Sequence, residues 1–351
     1  MIRENIQALV NGKSLLPEES RQTMQEIITG KATNSQIAAF LTALCMKGET
    51  VDELVTFAQV MQENGLKIHP KVEGRLVDTC GTGGDKIKTF NISTATAFVV
   101  AGAGIAIAKH GNRSVTSKSG SADVLEKMGV NLNMPPSMVK EAIEQIGIGF
   151  MFAPAFHPAM KYAVAPRKEI GIRTVFNMLG PLTNPACANA QLLGVYDAKI
   201  VNPLANALSR LGREEAMIVH GLNGLDEVST IGKTVISHLK NGEIRTFQIE
   251  PKDLGLKRAK TLDLLGGTPE ENARILLNIL KGNCALHDPK TEIVLINSAA
   301  AIIIGGKAAT FKEALQIATE SIQSGAAESK LEALIRFSGG NPSKLEELIS
   351  T

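Results

Sequence analysis

The hydrophobic periodicity of the sequence changes once, near residue 70, and this change limits the possible folds more than any other feature. Residues 1–67 place apolar side chains at helical spacing in four short segments. Each segment ends at a glycine, the residue that most often follows the last turn of a helix. These glycines are Gly12, Gly30, Gly48 and Gly65.

The predicted helices also carry start signals. Pro17, followed by two glutamates, suits the first turn of the second helix. Asn34 is the predicted cap of the third helix. Thr50, with Glu53 three residues later, forms a predicted capping box for the fourth.

From residue 75 the pattern alternates between short apolar strands and helical segments. RLVDTC (75–80) and IAIAK (105–109) are predicted strands, and ISTATAFVVAGAG (92–104) between them is a predicted helix. QLLGVYD and EAMIVHG repeat the pattern around a helix near 199–211, residues 227–250 indicate hairpin strands, and the rest is mainly helical. This alternation predicts an α/β fold: a small helical N-terminal domain hinged to a larger α/β domain with a mostly parallel central sheet.

Chain length also favours two domains. A chain of 351 residues exceeds the size at which one hydrophobic core keeps growing, and KIHPKVEG (67–74) has the composition of a linker. We assign 1–71 to the helical domain and expect 168–187, part of a segment rich in proline and helix signals, to join it. The predicted α/β domain comprises 72–167 and 188–351.

Composition narrows the functional class. Thirty-seven Lys and Arg nearly balance 35 Asp and Glu, so the chain has no general basic field, and we expect no nucleic-acid partner. Four scattered cysteines without a C-x-x-C pair predict a reduced, cytoplasmic protein without disulfides or a zinc site. A charged N-terminus and interrupted apolar stretches predict no membrane segment.

The strongest local motif is the loop DTCGTGGD (78–85), which directly follows a predicted strand. Gly81, Gly83 and Gly84 allow backbone N–H groups to approach a phosphate without an intervening side chain. The loop lacks the Gly-Lys-Ser/Thr of a Walker A motif, and Lys86 stands where a dinucleotide fingerprint needs a third glycine. A tight strand-to-helix turn is the alternative interpretation.

Two polar segments extend this candidate anion site. NIST (91–94) places an amide and two hydroxyl groups at the start of a helix, where the macrodipole favours anions. KHGNRSVTSKSGSAD (109–123) follows the next strand, and the ends of parallel strands meet at one edge of a sheet. Simple helix caps and a solvated basic loop are the alternatives.

Two further groups suit substrate and metal chemistry. Arg167 lies in an otherwise apolar segment (157–185), and a guanidinium group can bind a planar carboxylate with two parallel hydrogen bonds. Asp226 and Glu227 are adjacent after a strand and a glycine-rich turn, and paired carboxylates in a loop can bind a hard cation. The alternatives are a surface helix charge for Arg167 and a solvated pair for the carboxylates.

Taken in order, DTCGTGGD, NIST, KHGNR, HPAMKYAVAPRKEIGIRTVFNMLGPLTNP and LDEVS resemble the anthranilate phosphoribosyltransferases over nearly the whole chain. The resemblance implies the fold shared by this family and the nucleoside phosphorylases, Mg²⁺, and a homodimer formed through the helical domain. It implies transfer of a phosphoribosyl group from phosphoribosyl pyrophosphate to anthranilate, an early step of tryptophan synthesis.

The candidate site residues divide by ligand. The candidates for phosphoribosyl pyrophosphate are Gly81, Gly83, Gly84, Asp85, Thr89, Asn91, Ser93, Thr94, Lys109, Ser117 and Ser121. Asn112 and Arg167 are the candidates for anthranilate, and Ser93, Asp226 and Glu227 for Mg²⁺. Lys109 is the expected catalytic cation, and His110 is the weaker catalytic candidate, as a base.

Two other classes of protein resemble this fold. Pyrimidine nucleoside phosphorylases resemble this fold, but they are longer and lack the paired Asp-Glu motif. Nucleic-acid-binding relatives have lost the phosphoribosyl pyrophosphate motifs, which are intact here, and a net charge of +2 disfavours electrostatic binding of DNA.

Overall fold

A computed structural model describes residues 1–83, 87–114, 118–285 and 287–350. Residues 349 and 350 are described by their backbone alone. The N-terminal part of the chain consists of four helices. They are α1 (Ile2–Val10), α2 (Pro17–Ile28), α3 (Asn34–Lys47) and α4 (Val51–Glu63).

The start signals of these helices are mostly confirmed. Pro17 opens α2, and the Thr50–Glu53 capping box of α4 is present. The prediction for α3 is wrong, because Asn34 is already the first helical residue and Thr33 is the cap. The Thr33 hydroxyl accepts from the backbone of Gln36 at 3.3 Å, and the Gln36 side chain accepts from the Thr33 backbone at 2.9 Å.

A seven-stranded sheet forms the centre of the larger part, in the order β3-β2-β1-β4-β5-β6-β7. The strands are β1 (Leu76–Gly81), β2 (Ala106–Gly111), β3 (Ile148–Phe152), β4 (Ala190–Gly194), β5 (Glu215–Gly221), β6 (Thr234–Lys240) and β7 (Glu243–Ile249). The first five are parallel, and β6 and β7 form an antiparallel hairpin. The predictions of a mostly parallel sheet and of hairpin strands within 227–250 are therefore confirmed.

Helices cover both faces of this sheet. They are α5 (Ile92–Gly102), α6 (Ser121–Lys127), α7 (Pro136–Ile146), α8 (Ala153–Phe156), α9 (Lys161–Ile170), α10 (Val175–Leu182), α11 (Val201–Arg210), α12 (Pro269–Leu280), α13 (Pro289–Ile304), α14 (Phe311–Gln323), α15 (Ala326–Phe337) and α16 (Ser343–Ser350). Within the described ranges, none of the helices combines the length and apolar character needed to cross a bilayer.

The apolar side chains form two cores, one on each face of the sheet. On one face, α5 and α13 pack against each other and against β1 and β4. On the other face, α10 and α11 share a core with the four N-terminal helices. The segment that contains α9 and α10 packs against α2, α3 and α4. The N-terminal helices are therefore joined to the sheet through apolar contacts as well as through the chain.

The sheet has a topological switch between β1 and β4. The chain passes from β1 to β2 on one side and later returns to place β4 on the other side. In open α/β sheets, ligands bind beyond the carboxyl ends of the strands at such a point. Gly81 and Gly194 are the terminal residues of β1 and β4 and lie side by side there.

A buried ionic cluster lies at the amino end of β5, on the side of the sheet opposite the carboxyl ends of the parallel strands. Glu215 on β5 is fully buried and pairs with Arg75, and His238 Nε2 lies 2.8 Å from its Oε1 atom. Arg75 also donates to the carbonyl of Ile304 at the end of α13, at 2.9 Å. The cluster joins the end of the linker to β5, β6 and a helix from the C-terminal half.

A second buried ion pair holds the helical part together. The side chains of Lys47 and Glu53 are 6% and 0% exposed, and Lys47 Nζ lies 2.7 Å from Glu53 Oε2. The same carboxylate accepts from the backbone of Leu15 at 2.9 Å and of Thr50 at 2.8 Å. One carboxylate therefore joins the chain before α2 to the facing ends of α3 and α4.

We predict that Lys47→Met lowers the free energy of unfolding by about 3 kcal/mol, because it leaves a buried carboxylate without its counterion. Chemical denaturation measures the effect. Arg245→Met is the matched control, since the Arg245–Glu243 pair is 83% and 73% exposed and its loss should leave stability unchanged. Equal stability of the two variants would contradict the prediction.

Candidate active site

The carboxyl ends of β1 and β4 are held close to the segment that follows β5. A Cβ atom added to Gly81 would lie 3.0 Å from Oδ2 of Asp226, and one added to Gly194 would lie 1.6 Å from the backbone oxygen of Asp226. Glycine is therefore required at Gly194, where any side chain would collide with backbone. The two glycines let the Asp226 carboxylate reach the start of the glycine-rich loop.

The described part of the glycine-rich loop leaves space for a ligand. Gly83 has a φ of 69°, in the left-handed region that favours glycine, and a Cβ atom there would meet no atom of the described residues within 4 Å. Thr82 anchors the loop, because its hydroxyl accepts from the backbone of Tyr196 at 3.1 Å. The predicted ligand residues Gly84, Asp85 and Ser117 lie outside the described residues.

Lys109, on β2, is the cation at the centre of the site and is only 3% exposed. Its Nζ atom donates to the carbonyl of Thr79 at 2.6 Å and to the hydroxyl of Ser93 at 3.4 Å. Burial lowers the pKa of the ammonium group, while Asp78 and Glu227 act in the opposite direction. One side chain thus joins β2 to β1 and to the first turn of α5.

The start of α5 is arranged differently from a simple cap. Asn91 occupies the cap position, but its side chain makes no capping bond. Instead, its amide donates to the carbonyl of Ser119 at 3.3 Å and accepts from Asn272 at 3.0 Å. The backbone N–H groups of the first turn are therefore not covered by the cap side chain. Thr94 is fully buried, and among the described residues its hydroxyl has no hydrogen-bond partner.

The second polar loop is ordered by local hydrogen bonds at its described ends. Asn112 accepts from the backbone of Arg113 at 2.8 Å through its side chain, and its carbonyl accepts from Ser121 Oγ at 3.5 Å. Arg113 forms ion pairs with Asp123 and Glu126. Asn112 and Ser121 therefore lie together beside the end of β2, and Arg113 stabilises the loop. Thr89, two residues before Asn91, forms an isolated β-bridge with Leu265.

The segment that carries Asp226 and Glu227 is held in place by the side-chain amide of Asn297, a residue that is not among those predicted from the sequence. Asn297 of α13 is fully buried, accepts from the backbone N–H of Val228 at 2.9 Å and donates to its carbonyl at 3.0 Å. Glu227 is 8% exposed. The signal that indicates this role is an amide within the largely apolar stretch IVLINSAAAIII (293–304).

The oxygen donors around Gly81 suit a magnesium ion that is also bound by a substrate. The described residues contain no group of three or more His, Cys, Asp or Glu side chains placed to hold a metal. Two carboxylates and the Ser93 hydroxyl leave coordination positions for water and phosphate oxygens, which is how Mg²⁺ is usually bound. Asp226, Glu227 and Ser93 therefore fit the predicted ion.

His110 lies beside His157, with 5.3 Å between their ring centroids. Burial, together with His157, lowers the pKa of His110 from 6.5 to about 3. The ring is therefore neutral at physiological pH. A base with so low a pKa provides little driving force for proton transfer.

Arg167 lies on α9 and is not part of the group of residues predicted to bind phosphoribosyl pyrophosphate. Its guanidinium group lies 5.3 Å from the centroid of the Phe176 ring, and burial lowers its pKa. Within the described part of the chain, no carboxylate pairs with it. A half-buried guanidinium group that rests on an aromatic ring and has no internal anion is suited to bind the carboxylate of a ligand.

Comparison with protein families matches both parts of the chain. Residues 3–65 match the helical bundle domain of the glycosyl transferase family, and residues 73–328 match its a/b domain. Anthranilate phosphoribosyltransferase of Methanocorpusculum labreanum is 50% identical over 340 residues, which are 97% of this chain and 99% of that relative. The enzyme of Petrotoga mobilis is 49% identical over 96% of this chain and 97% of its own.

Solved structures agree with these matches. The crystal structure of anthranilate phosphoribosyltransferase from Thermus thermophilus has a TM-score of 0.89 and 39% identity, and the match covers 95% of this chain and 99% of that one. The Saccharomyces cerevisiae enzyme in complex with PRPP and Mg has a TM-score of 0.88 and 31% identity, covering 96% and 98%. The resemblance inferred from the motifs and the predicted fold are thereby confirmed, and this chain belongs to the anthranilate phosphoribosyltransferase family.

Proposed function

We propose that this chain transfers the phosphoribosyl group of 5-phosphoribosyl 1-pyrophosphate to the amino group of anthranilate in tryptophan biosynthesis. The products are N-(5-phosphoribosyl)anthranilate and pyrophosphate. The observation that carries the proposal is the convergence of Lys109, Ser93 and the Asp226–Glu227 pair around the open glycine-rich end of β1. The relatives with this name match nearly the whole chain.

The donor side is built to stabilise a departing anion. Cleavage of the bond between the anomeric carbon and the pyrophosphate oxygen develops positive charge on the sugar and negative charge on the leaving group. Lys109 and the N-terminal end of α5, where the cap side chain makes no capping bond, are fixed before the reaction, so they oppose that negative charge without reorganising. Mg²⁺, when held by Asp226, Glu227 and Ser93, supplies further neutralisation of pyrophosphate charge.

The acceptor side requires orientation more than proton transfer. An aromatic amine is neutral at pH 7, so its lone pair is available to form the new C–N bond. Arg167 holds the carboxylate of anthranilate and thereby orients the amine. His110, which is neutral, borders this side as a polar ring rather than as a strong base.

The direct test is to incubate the protein with anthranilate, phosphoribosyl pyrophosphate and Mg²⁺ and to follow the loss of anthranilate fluorescence. We expect loss of signal only when all three are present, together with release of one pyrophosphate for each anthranilate consumed. Absence of turnover in a folded sample would reject the proposal.

We predict that Arg167→Ala raises the KM for anthranilate by about ten- to a hundredfold and leaves binding of phosphoribosyl pyrophosphate nearly unchanged. The reason is that the lost partner is a carboxylate present only on the acceptor. Lys168→Ala, which removes an exposed positive charge from the same helix, is the matched control and should alter neither constant. An equal loss of affinity for both substrates would indicate a structural role for Arg167.

We predict that replacing Asp226 with Asn and Glu227 with Gln lowers kcat roughly a hundredfold and weakens its dependence on Mg²⁺, while anthranilate affinity changes little. Both replacements preserve shape and remove charge where the leaving group departs. Steady-state kinetics across a magnesium titration provide the measurement, with thermal melting as a control for folding. The exposed pair Glu346 and Glu347 on α16, changed in the same way, should have no effect. Unchanged turnover in the first variant would remove the pair from the metal site.

We further propose a homodimer formed through the helical part. Val10, Leu16 and Met46 are 65%, 66% and 84% exposed, and they lie on or beside helices that pack together. Exposed apolar side chains concentrated in one region favour association. The proposed helical domain is 1–71 with 168–187, a segment that contains the end of α9 and all of α10, and α10 packs against α3 and α4.

Sedimentation velocity at micromolar concentration should show a dimer that Met46→Lys weakens. Leu262→Lys is the matched control, because Leu262 is 75% exposed but lies far from the helical part in sequence and fold. A monomeric unmodified protein would contradict the proposal.

We also propose a cytoplasmic location, which fits the four unpaired cysteine thiols.

A further inference from the structure

Asp78 is a fully buried carboxylate for which the reaction described above has no use. It is the first residue of the glycine-rich motif and lies on β1. The next residue, Thr79, faces α5, where its hydroxyl donates to the carbonyl of Ser93 at 2.9 Å. Because successive side chains of a strand point to opposite faces, Asp78 faces the side of the sheet that α10 covers.

The hydrogen bonds that the described residues make with the Asp78 carboxylate come from donors. Gln191 Nε2, on the neighbouring strand β4, donates to Oδ2 at 3.1 Å, and the backbone N–H of His110 donates to Oδ1 at 3.5 Å. The side-chain amide of Asn184 also stabilises the ionised form. A protonated carboxyl group would need an acceptor for its own hydrogen, so this set of donors suits the ionised form. Burial raises the pKa of Asp78, and the donors together with Lys109 oppose that effect.

These contacts continue into a closed circuit, here called the buried polar ring: Asp78, His110, His157, Thr183, Pro181 and Gln191. Gln191 Nε2 also donates to the carbonyl of Pro181 at 2.7 Å. The His110 ring packs on His157, whose Nε2 donates to the carbonyl of Thr183 at 3.0 Å. The chain from Pro181 to Thr183 closes the circuit.

The buried polar ring joins the two halves of the proposed site. His110 directly follows Lys109, so the buried polar ring fixes the end of β2, where phosphoribosyl pyrophosphate is proposed to bind. Pro181 belongs to α10, and Phe176 on the same helix supports the Arg167 guanidinium. Asp78 contacts both β2 and β4 in the ring, through the backbone of His110 and through the Gln191 amide.

We propose that Asp78 is a positioning residue. By holding β2 and α10 in a fixed relative position, it fixes the place of bound anthranilate relative to bound phosphoribosyl pyrophosphate. This inference rests on the proposed function. Asp78 does not touch either substrate. It acts through backbone and amide groups whose displacement would move Arg167 and the bound amine away from the anomeric carbon. A displacement of about 1 Å is enough to reduce a rate strongly.

The test is the variant Asp78→Asn, which preserves shape but directs an amide or a weaker acceptor at the Gln191 amide. We expect the KM for anthranilate to rise at least about tenfold and kcat to fall, since a charge-assisted hydrogen bond is lost. We expect the affinity for phosphoribosyl pyrophosphate, measured by calorimetry, to fall much less than the affinity for anthranilate, because Lys109 keeps its hydrogen bonds to the Thr79 carbonyl and the Ser93 hydroxyl.

Glu215→Gln is the matched control. Glu215 is an equally buried carboxylate on the same sheet, and it lies at the opposite edge from the site. Both variants should lose stability on thermal melting. Only Asp78→Asn should show the split between the two substrates, in which the affinity for anthranilate falls much more than the affinity for phosphoribosyl pyrophosphate. If the two variants have the same kinetic constants after correction for folded protein, or if Asp78→Asn weakens both substrates equally, the positioning role is wrong.

A second variant keeps the proposal testable if Asp78→Asn does not fold. Gln191→Met removes the amide that bridges Asp78 and Pro181 while it retains a side chain of similar length, and the same split between substrates is expected. Normal constants in that variant would also overturn the inference. Failure of the proposed function is a separate result, because the unmodified protein would then neither bind anthranilate in a fluorescence titration nor consume it.

Discussion

The burial of one ammonium group determines the arrangement of the whole candidate site. A lysine that is only 3% exposed must recover the hydration it has lost, and Lys109 does so through the Thr79 carbonyl and the Ser93 hydroxyl. Those partners belong to β1 and to the start of α5. The loop after β1, the end of β2 and the first turn of α5 are therefore held around one positive charge. Asp78 on β1, and to a smaller extent Glu227 in the chain after β5, contribute compensating negative charge.

Much of the fold could be predicted because its signals are local. The alternation of strand and helix after residue 75 follows from side-chain periodicity, and the boundaries of β1 shifted by one residue. The cap of α3 could not be decided in this way. Thr33 and Asn34 are both good capping residues, and the reciprocal bond with Gln36 selects the first. The strand order was also beyond local signals, since the position of β4 beside β1 depends on pairing between distant segments.

The candidate site could be predicted to the extent that parallel strands gather their carboxyl ends. That rule is enough to bring Ser93, Lys109 and Asp226 to one edge of the sheet. It says nothing of Asn297, which binds the backbone of a residue 69 positions away, or of Gln191, which binds a carboxylate 113 positions away. A polar residue inside an apolar segment signals that a partner exists, but the partner is set by the tertiary fold. The ligand roles of all the site residues remain predictions, and Gly84, Asp85 and Ser117 also lie outside the described residues.

Gly194 contributes no side chain to the site, yet it limits how wide the site can be. A single methyl group at this position would occupy the place of the Asp226 backbone oxygen, 1.6 Å away. The carboxylate segment would then have to retreat from the glycine-rich loop. The gap proposed to hold a cation and a pyrophosphate is therefore limited by a strand from which no ligand residue is proposed. Variation at β4 would alter which size of anion this edge of the sheet can hold, while every residue expected to contact the ligand stayed the same.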